Sequence, residues 1–266
     1  MVEVSRIIIS IIVVILLLTQ VLGCGVVETY ELQEMTDLMS MLKSAEPGDS
    51  FFFGNYEQDN DLSNGKERIE WIILKKEDTR ILAISKYVLD GKSYNNDEHI
   101  LLNCPYDYNS SILEYIEWVL AWKTSSLRKW LNTTFVNEAF NSKEQSIIYK
   151  QRLDQNNKRD EVLFDSVFLL NADEAKEYFH SSSERMCYPT KYAIGQGAYP
   201  DPAVAASDNI GCDAIDSHPT CCWWLMPQEQ LAAGIVYIYY DGHIYNNPDA
   251  NDCIGVRPVL WIKTIK

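Results

Sequence analysis

The residues best suited to chemistry lie near the C-terminal third of the chain, where "TCCWWL" (220–225) places two cysteines beside two tryptophans. Four possible zinc ligands lie in or before this stretch: Cys212, His218, Cys221 and Cys222. Their spacing lacks the C-x2-C pairs typical of structural zinc sites. A reactive thiol needs a positive neighbour that lowers its pKa, and no Lys or Arg adjoins the stretch. The pattern therefore predicts neither a metal, a cofactor nor a catalytic residue, and favours a structural role.

The N-terminus has the pattern of a lipoprotein signal peptide. Arg6 precedes an apolar run from Ile7 to Leu18, and the run ends at Val21-Leu22-Gly23-Cys24. These last four residues resemble a bacterial lipobox, so we expect residues 1–23 to be removed and Cys24 to carry a lipid anchor. The alternative is a single uncleaved transmembrane helix, because the apolar stretch spans roughly 20 residues. Both hypotheses place the rest of the chain on the extracytoplasmic face of the membrane.

An extracytoplasmic location favours disulfides over free thiols. We expect one of Cys221 and Cys222 to enter the core and the other to face the long Gly- and Pro-rich segment before it. A bond from this strand would then fasten that segment. The disulfide candidates are Cys187, Cys212, Cys221 and Cys222.

The net charge of −15 argues against nucleic-acid binding, because it repels phosphate backbones. It also repels anionic lipid headgroups.

Apolar spacing divides the chain into a leader, a tether with a short helix (24–46) and one domain (47–266). Strands predominate at its start and end, helices lie between them, and a long loop precedes the final strands. Asp241-Gly242 between β-forming residues predicts a core β-hairpin. The order of the predicted strands and helices therefore indicates an α+β fold.

Tyrosines flank this predicted turn and could form a recognition surface for a protein or carbohydrate. The candidate ligand-binding residues are Tyr237, Tyr239, Tyr240 and Tyr245. Strand alternation places Tyr237 and Tyr239 on one face and Tyr240 on the other. The alternative is that these rings only cover the core.

An acidic loop near the first strands partly fits a calcium-loop template. The matching residues are Asp59, Asp61, Ser63 and Glu70. Asn64 stands where the template needs glycine, and the flanking segments are strands, so a solvated hairpin loop is the preferred hypothesis.

Two arginines in apolar contexts predict structural ion pairs. Arg257 lies in the last strand, and Glu70 is its candidate partner. Arg128, on a helix, is also expected to form an ion pair rather than a binding site.

Several motifs, taken in order, resemble an uncharacterised family of bacterial extracytoplasmic domains known only as a domain of unknown function. They include "LRKWLN" (127–132), "CYPTKYA" (187–193), "CWWL" (222–225) and "GVRPVLWI" (255–262). The resemblance covers residues 47–266 and implies a fold similar to C-type lectins and the formylglycine-generating enzyme. In that fold the first and last strands pair, two or more helices flank them, and a long loop precedes the hairpin.

We expect a surface-anchored, non-enzymatic module that binds a protein or glycan. An enzyme related to the formylglycine-generating group, using cysteines or a metal, is the first alternative. A structural protein of the cell envelope is the second.

Overall fold

The computed structural model describes residues 33–105, 111–153, 163–201, 219–227, 235–247 and 249–264. The predicted signal peptide, Cys24, Cys212 and His218 lie outside these residues. The described residues from 46 to 264 belong to one compact unit, and residues 33–44, assigned to a second, form a helix, α1. No helix in the described ranges combines the length and apolar character needed to cross a membrane.

The fold is α+β, as the sequence predicts. The described residues form thirteen strands: β1 (Ser50–Tyr56), β2 (Glu67–Lys76), β3 (Arg80–Ser85), β4 (Asp90–Ser93), β5 (Ile148–Tyr149), β6 (Gln151–Leu153), β7 (Leu163–Asp165), β8 (Val167–Phe168), β9 (Trp223–Trp224), β10 (Ile235–Ile238), β11 (Ile244–Asn247), β12 (Cys253–Val256) and β13 (Val259–Lys263). The helices that follow α1 are α2 (Asp97–Asn103), α3 (Ile112–Leu120), α4 (Ser126–Trp130), α5 (Val136–Ala139), α6 (Ser142–Ile147), α7 (Ala172–Tyr178), α8 (Ser182–Arg185) and α9 (Lys191–Gly195). A π-helical turn, Leu131–Phe135, joins α4 to α5.

The first sheet has the order β1-β2-β3-β13-β5, and β8 also pairs with β13. The predicted pairing of the first and last strands is therefore wrong. β1 forms a hairpin with its neighbour β2, while β13 has β3 on one edge and β5 and β8 on the other. Both edges of β13 are thus occupied. Its residues Val259 to Ile262 are all buried, which is typical of a central strand.

The second sheet carries the predicted hairpin and has the order β11-β10-β9-β12-β4. β10 pairs antiparallel with both β11 and β9, whereas β9 and β12 run parallel. Gly242 has a φ of +83° in the turn between β10 and β11, a conformation that glycine adopts without strain. The Asp-Gly signal therefore predicted this hairpin correctly.

Side-chain hydrogen bonds cap the N-termini of several helices. Asn171 followed three residues later by Glu174 is a capping-box signature in the sequence, and the two residues form that box at the start of α7, with the Asn171 side chain accepting from the Glu174 N–H at 2.9 Å. For α4 the sequence suggests Ser126 as the cap, whereas the cap is Ser125, one residue earlier. For α6 the sequence suggests Ser142 with Gln145, whereas the capping box uses Asn141 and Glu144.

Candidate functional site

The register of the second sheet aligns aromatic side chains across three strands. Tyr237 of β10 lies opposite Tyr245 of β11 and opposite Trp224 of β9. Directly paired residues point to the same face of a sheet, so these rings form a cross-strand row. Trp224 is fully buried, and its indole N–H donates to the carbonyl of Lys92 at 2.7 Å. The row therefore extends from the core at Trp224 to the edge strand at Tyr245.

The four candidate tyrosines lie together, and we call them the tyrosine face. Ring centroids are 6.3 Å apart for Tyr237 and Tyr245, and 5.4 Å apart for Tyr239 and Tyr245. Tyr239 lies 6.2 Å from Tyr237 and 3.9 Å from Tyr240. The expectation that Tyr240 faces away from Tyr239 is wrong, because Tyr240 lies in the turn beyond the end of β10, where strand alternation no longer applies.

The tyrosine face is partly open to solvent. Tyr245 is 48% exposed, while the other three rings are half-buried. The pKa of Tyr239 is raised to about 12; its hydrogen bond with Tyr240 is the larger cause and burial is the second. Burial is the main cause of the raised pKa of Tyr237. These two hydroxyls are therefore protonated at neutral pH and can donate and accept hydrogen bonds, but they are poor general bases.

The turn that carries this face is fixed by contacts with α8. The guanidinium Nε of Arg185 donates to the carbonyl of Gly242 at 2.9 Å, and its Nη1 donates to the carbonyl of Phe179 at 2.8 Å. The Thr220 hydroxyl donates to the carbonyl of Tyr240 at 2.8 Å. The hairpin is therefore held in place on both sides of its turn.

Three of the disulfide candidates lie in the part of the chain that the structure describes, and all three are free thiols there, so the expected disulfides among them are absent: Cys187, Cys221 and Cys222. Both Cys221 and Cys222 are buried. The contact between Cys187 and Cys221 is made by the backbone, since the Cys221 N–H donates to the Cys187 carbonyl at 2.9 Å. The Cys187 thiol instead donates to the carbonyl of Lys86 at 3.4 Å. The fourth disulfide candidate, Cys212, lies outside the described residues.

A positive charge does act on these thiols, although the local sequence does not reveal it. Arg257, 3% exposed, lies between the rings of Phe179 and Trp223, each 5.1 Å from its guanidinium carbon. Burial raises the pKa of Cys187 and of Cys221, and the charge of Arg257 opposes that rise. Burial is the larger effect, so both thiols stay protonated and poorly nucleophilic at neutral pH.

The predicted ion pair between Glu70 and Arg257 is wrong. Glu70 pairs with Lys86, whose Nζ lies 3.0 Å from its Oε2, and accepts from the Ser50 hydroxyl at 2.7 Å. Arg257 donates through Nε to the carbonyl of Ser85 at 2.9 Å, and its Nη1 has no hydrogen-bond partner among the described residues. The aromatic rings beside it provide cation–π contacts in place of a carboxylate.

Arg128 does form an ion pair, as predicted. Its Nε and Nη2 each lie 2.7 Å from Oδ1 of Asp165, which is fully buried. The other carboxylate oxygen accepts from the indole N–H of Trp122 at 2.8 Å. This network joins α4 to β7 and gives Arg128 a structural role.

The acidic loop does not bring together the residues that match the calcium-loop template. Asp61 accepts hydrogen bonds from the Ser63 hydroxyl and N–H, and Asp59 accepts from the Asp61 N–H. Glu70, in contrast, lies within β2 and is paired with Lys86. The calcium-loop set is therefore divided between the loop and the sheet.

No curated protein and no solved structure matches the chain. A family model, described as a domain of unknown function (DUF6273), matches residues 84–264. The match begins later than residue 47, where the resemblance in the sequence starts, and includes the second sheet with its tyrosine face. It covers well over half of the chain, which therefore belongs to the DUF6273 family of domains of unknown function.

Proposed function

We propose that the protein is a non-enzymatic binding module, held at the extracytoplasmic face of the membrane by a lipid anchor on Cys24. Its tyrosine face would recognise a protein or glycan. The observation that carries this proposal is the convergence of four partly exposed tyrosine rings on one fixed hairpin.

The geometry of the face suits recognition. Tyrosine offers an apolar ring and a hydroxyl with few rotatable bonds, so its ordering on binding costs little conformational entropy. Arg185 and Thr220 already hold the turn, which lowers that cost further. Asp241 and His243 add exposed polar groups beside the rings, and the Oδ1 atom of Asp241 lies 3.3 Å from the Nδ1 atom of His243. Rings with adjoining polar groups are suited to the mixed apolar and hydroxylated surface of a sugar or to a polar protein patch.

The cysteine-based enzyme has one observation in its favour, the charge of Arg257 acting on Cys187 and Cys221. Both thiols are buried and protonated, however, and a nucleophile must reach its substrate as a thiolate. The binding module therefore has the stronger physical support.

Binding should be tested on a glycan array and against solubilised cell-envelope proteins. The full chain, purified in detergent, would be compared with Tyr245→Ala and with Tyr149→Ala. Tyr149 is a matched control because it is 38% exposed but lies on the first sheet. We expect a saturable ligand that is retained by Tyr149→Ala and lost by Tyr245→Ala. Absence of a ligand in both screens would favour the structural envelope protein.

A further inference from the structure

Three carboxylates converge where the β1–β2 loop leaves and rejoins the sheet. Glu57, Asp59 and Glu67 each place a carboxylate oxygen within 4.8 Å of the other two. Glu57 is only 5% exposed, and its Oε1 has no hydrogen-bond partner among the described residues. A buried carboxylate oxygen without a donor is costly in free energy, and either a proton on Glu57 or a positive ligand would relieve that cost.

Hydrogen bonds fix the other two carboxylates. Oε2 of Glu67 accepts from the backbone N–H of Gln58 at 2.7 Å and from that of Asp59 at 3.3 Å. Oδ2 of Asp59 accepts from the Asn64 side chain at 2.7 Å. Each of these oxygens still has a free lone pair or a free neighbouring oxygen for a cation. The ligand set is therefore largely pre-positioned.

The nearby positive charge does not neutralise the cluster. Lys191 lies near enough to Asp59 to act on it electrostatically. Within the described residues, Lys191 forms no ion pair with any of the three carboxylates. Lys191 therefore leaves the negative charge of the three carboxylates unpaired.

We propose that Glu57, Asp59 and Glu67 bind one divalent cation, and that this set of carboxylates favours Ca²⁺. Ca²⁺ takes about 6–8 oxygen ligands, carboxylates among them, at about 2.3–2.6 Å. The carboxylate oxygens of the three residues lie within 4.8 Å of one another, close enough to share one ion of this kind. Mg²⁺ usually keeps several waters and binds one or two carboxylates, so a set of three suits it less well.

Such an ion would stabilise the connection between β1, β2 and α9. Gln58 lies between Glu57 and Asp59 in the sequence. Its side-chain amide donates to the carbonyls of Glu67 and Arg68 at 3.3 and 3.0 Å. The Gln58 carbonyl accepts from the N–H of Tyr192, in α9, at 3.0 Å. A cation that holds Glu57 against Glu67 would therefore fasten three elements at one point.

The test is calorimetric titration of the chelator-treated full chain with CaCl₂ and, separately, MgCl₂. We expect one Ca²⁺ per chain, a rise in Tm with CaCl₂, and weaker binding of Mg²⁺. Glu57→Gln should weaken Ca²⁺ binding by roughly tenfold or more, because ligand charge sets the affinity of such sites. Asp61→Asn is the matched control, since it removes a charge from the same loop, keeps the Asp61 N–H that donates to Asp59, and changes a side chain that accepts from Ser63 rather than from a ligand residue; it should bind Ca²⁺ as the wild type does.

Two results would overturn the proposal: no Ca²⁺ heat and no Tm shift for the wild type, or equal weakening by Glu57→Gln and Asp61→Asn. The second result would indicate diffuse binding to an acidic surface. Circular dichroism establishes that each variant is folded. If Glu57→Gln is not folded, Asp59→Asn replaces it under the same criterion. Mg²⁺ binding as tight as Ca²⁺ binding would refute the assignment of the ion.

Discussion

Removal of the buried carboxylate of Asp165 should destabilise the domain strongly. Asp165→Ala leaves the guanidinium of Arg128, which is 14% exposed, without its carboxylate and the indole N–H of Trp122 without an acceptor. Each hydrogen bond to a charged group contributes about 1.5–3 kcal/mol, and each polar group left unpaired costs about 1–3 kcal/mol. Remaining bonds from Arg128 to backbone carbonyls at 3.3 and 3.4 Å offset part of this loss. We expect the free energy of unfolding to fall by about 3–5 kcal/mol, as for other broken buried ion pairs.

The assay is guanidinium chloride unfolding of the full chain, followed by tryptophan fluorescence. A double-mutant cycle with Arg128→Ala and Asp165→Ala should give a coupling energy of about 2 kcal/mol. The control cycle uses Lys86 and Glu70, a pair whose side chains are 38% and 20% exposed. Its coupling should stay below about 1 kcal/mol because solvent screens the pair. Equal couplings in the two cycles, or a loss below about 1 kcal/mol for Asp165→Ala, would refute the structural role of Arg128.

Two further predictions concern the thiols and the hairpin turn. In the folded protein, Cys221 and Cys222 should resist alkylation by iodoacetamide at pH 7. Labelling of Cys222 should rise toward pH 11, because burial raises its pKa to about 11; rapid labelling at pH 7, located by peptide mass spectrometry, would contradict this. Gly242→Ala should lower the free energy of unfolding by more than Gly65→Ala, which we expect to cost about 1 kcal/mol. Both glycines have positive φ, but a Cβ at 242 would overlap the carbonyl oxygen of Ser182, while one at 65 meets open space. Equal losses of unfolding free energy for the two variants, measured by denaturant unfolding, would show that the turn does not pack against α8.

Features that depend on adjacent residues could be predicted from the sequence. The Asp241-Gly242 hairpin and the Asn171–Glu174 capping box are local, because the turn or cap is formed by the residues that signal it. The tyrosines of the site were found in this way, since they flank the turn. The position of Tyr240 was missed because the strand ends before it and its ring packs against Tyr239.

Features that depend on tertiary neighbours could not be predicted. Arg257 lies among aromatic rings, and Glu70 has a closer cation in Lys86, so their opposite charges gave a misleading pairing. The partner of Arg128 is Asp165, 37 positions away on β7. The helical pattern around Arg128 does not indicate which strand packs against that helix. Side-chain pairing of this kind is decided by which elements pack together, and the sequence gives only charge and hydrophobicity.

The convergence of Glu57 with Glu67 was missed for a related reason. The calcium-loop template assumes ligands within one continuous loop between helices, whereas this cluster uses both ends of a loop between paired strands. Knowing that Tyr56 of β1 pairs with Glu67 of β2 would have indicated it, because the next residue, Glu57, then lies beside that pair.

The most direct test of the binding proposal is the affinity of the tyrosine face for the strongest ligand from the glycan and envelope-protein screens. Biolayer interferometry would compare the wild type, Tyr245→Ala and Tyr149→Ala, all checked for folding by circular dichroism. Loss of the half-exposed Tyr245 ring should raise Kd by roughly tenfold or more, the effect of truncating an aromatic contact of about 1.4–2 kcal/mol, and Tyr149→Ala should leave Kd unchanged. Equal Kd values for the three proteins would contradict the assignment of this hairpin as the recognition surface.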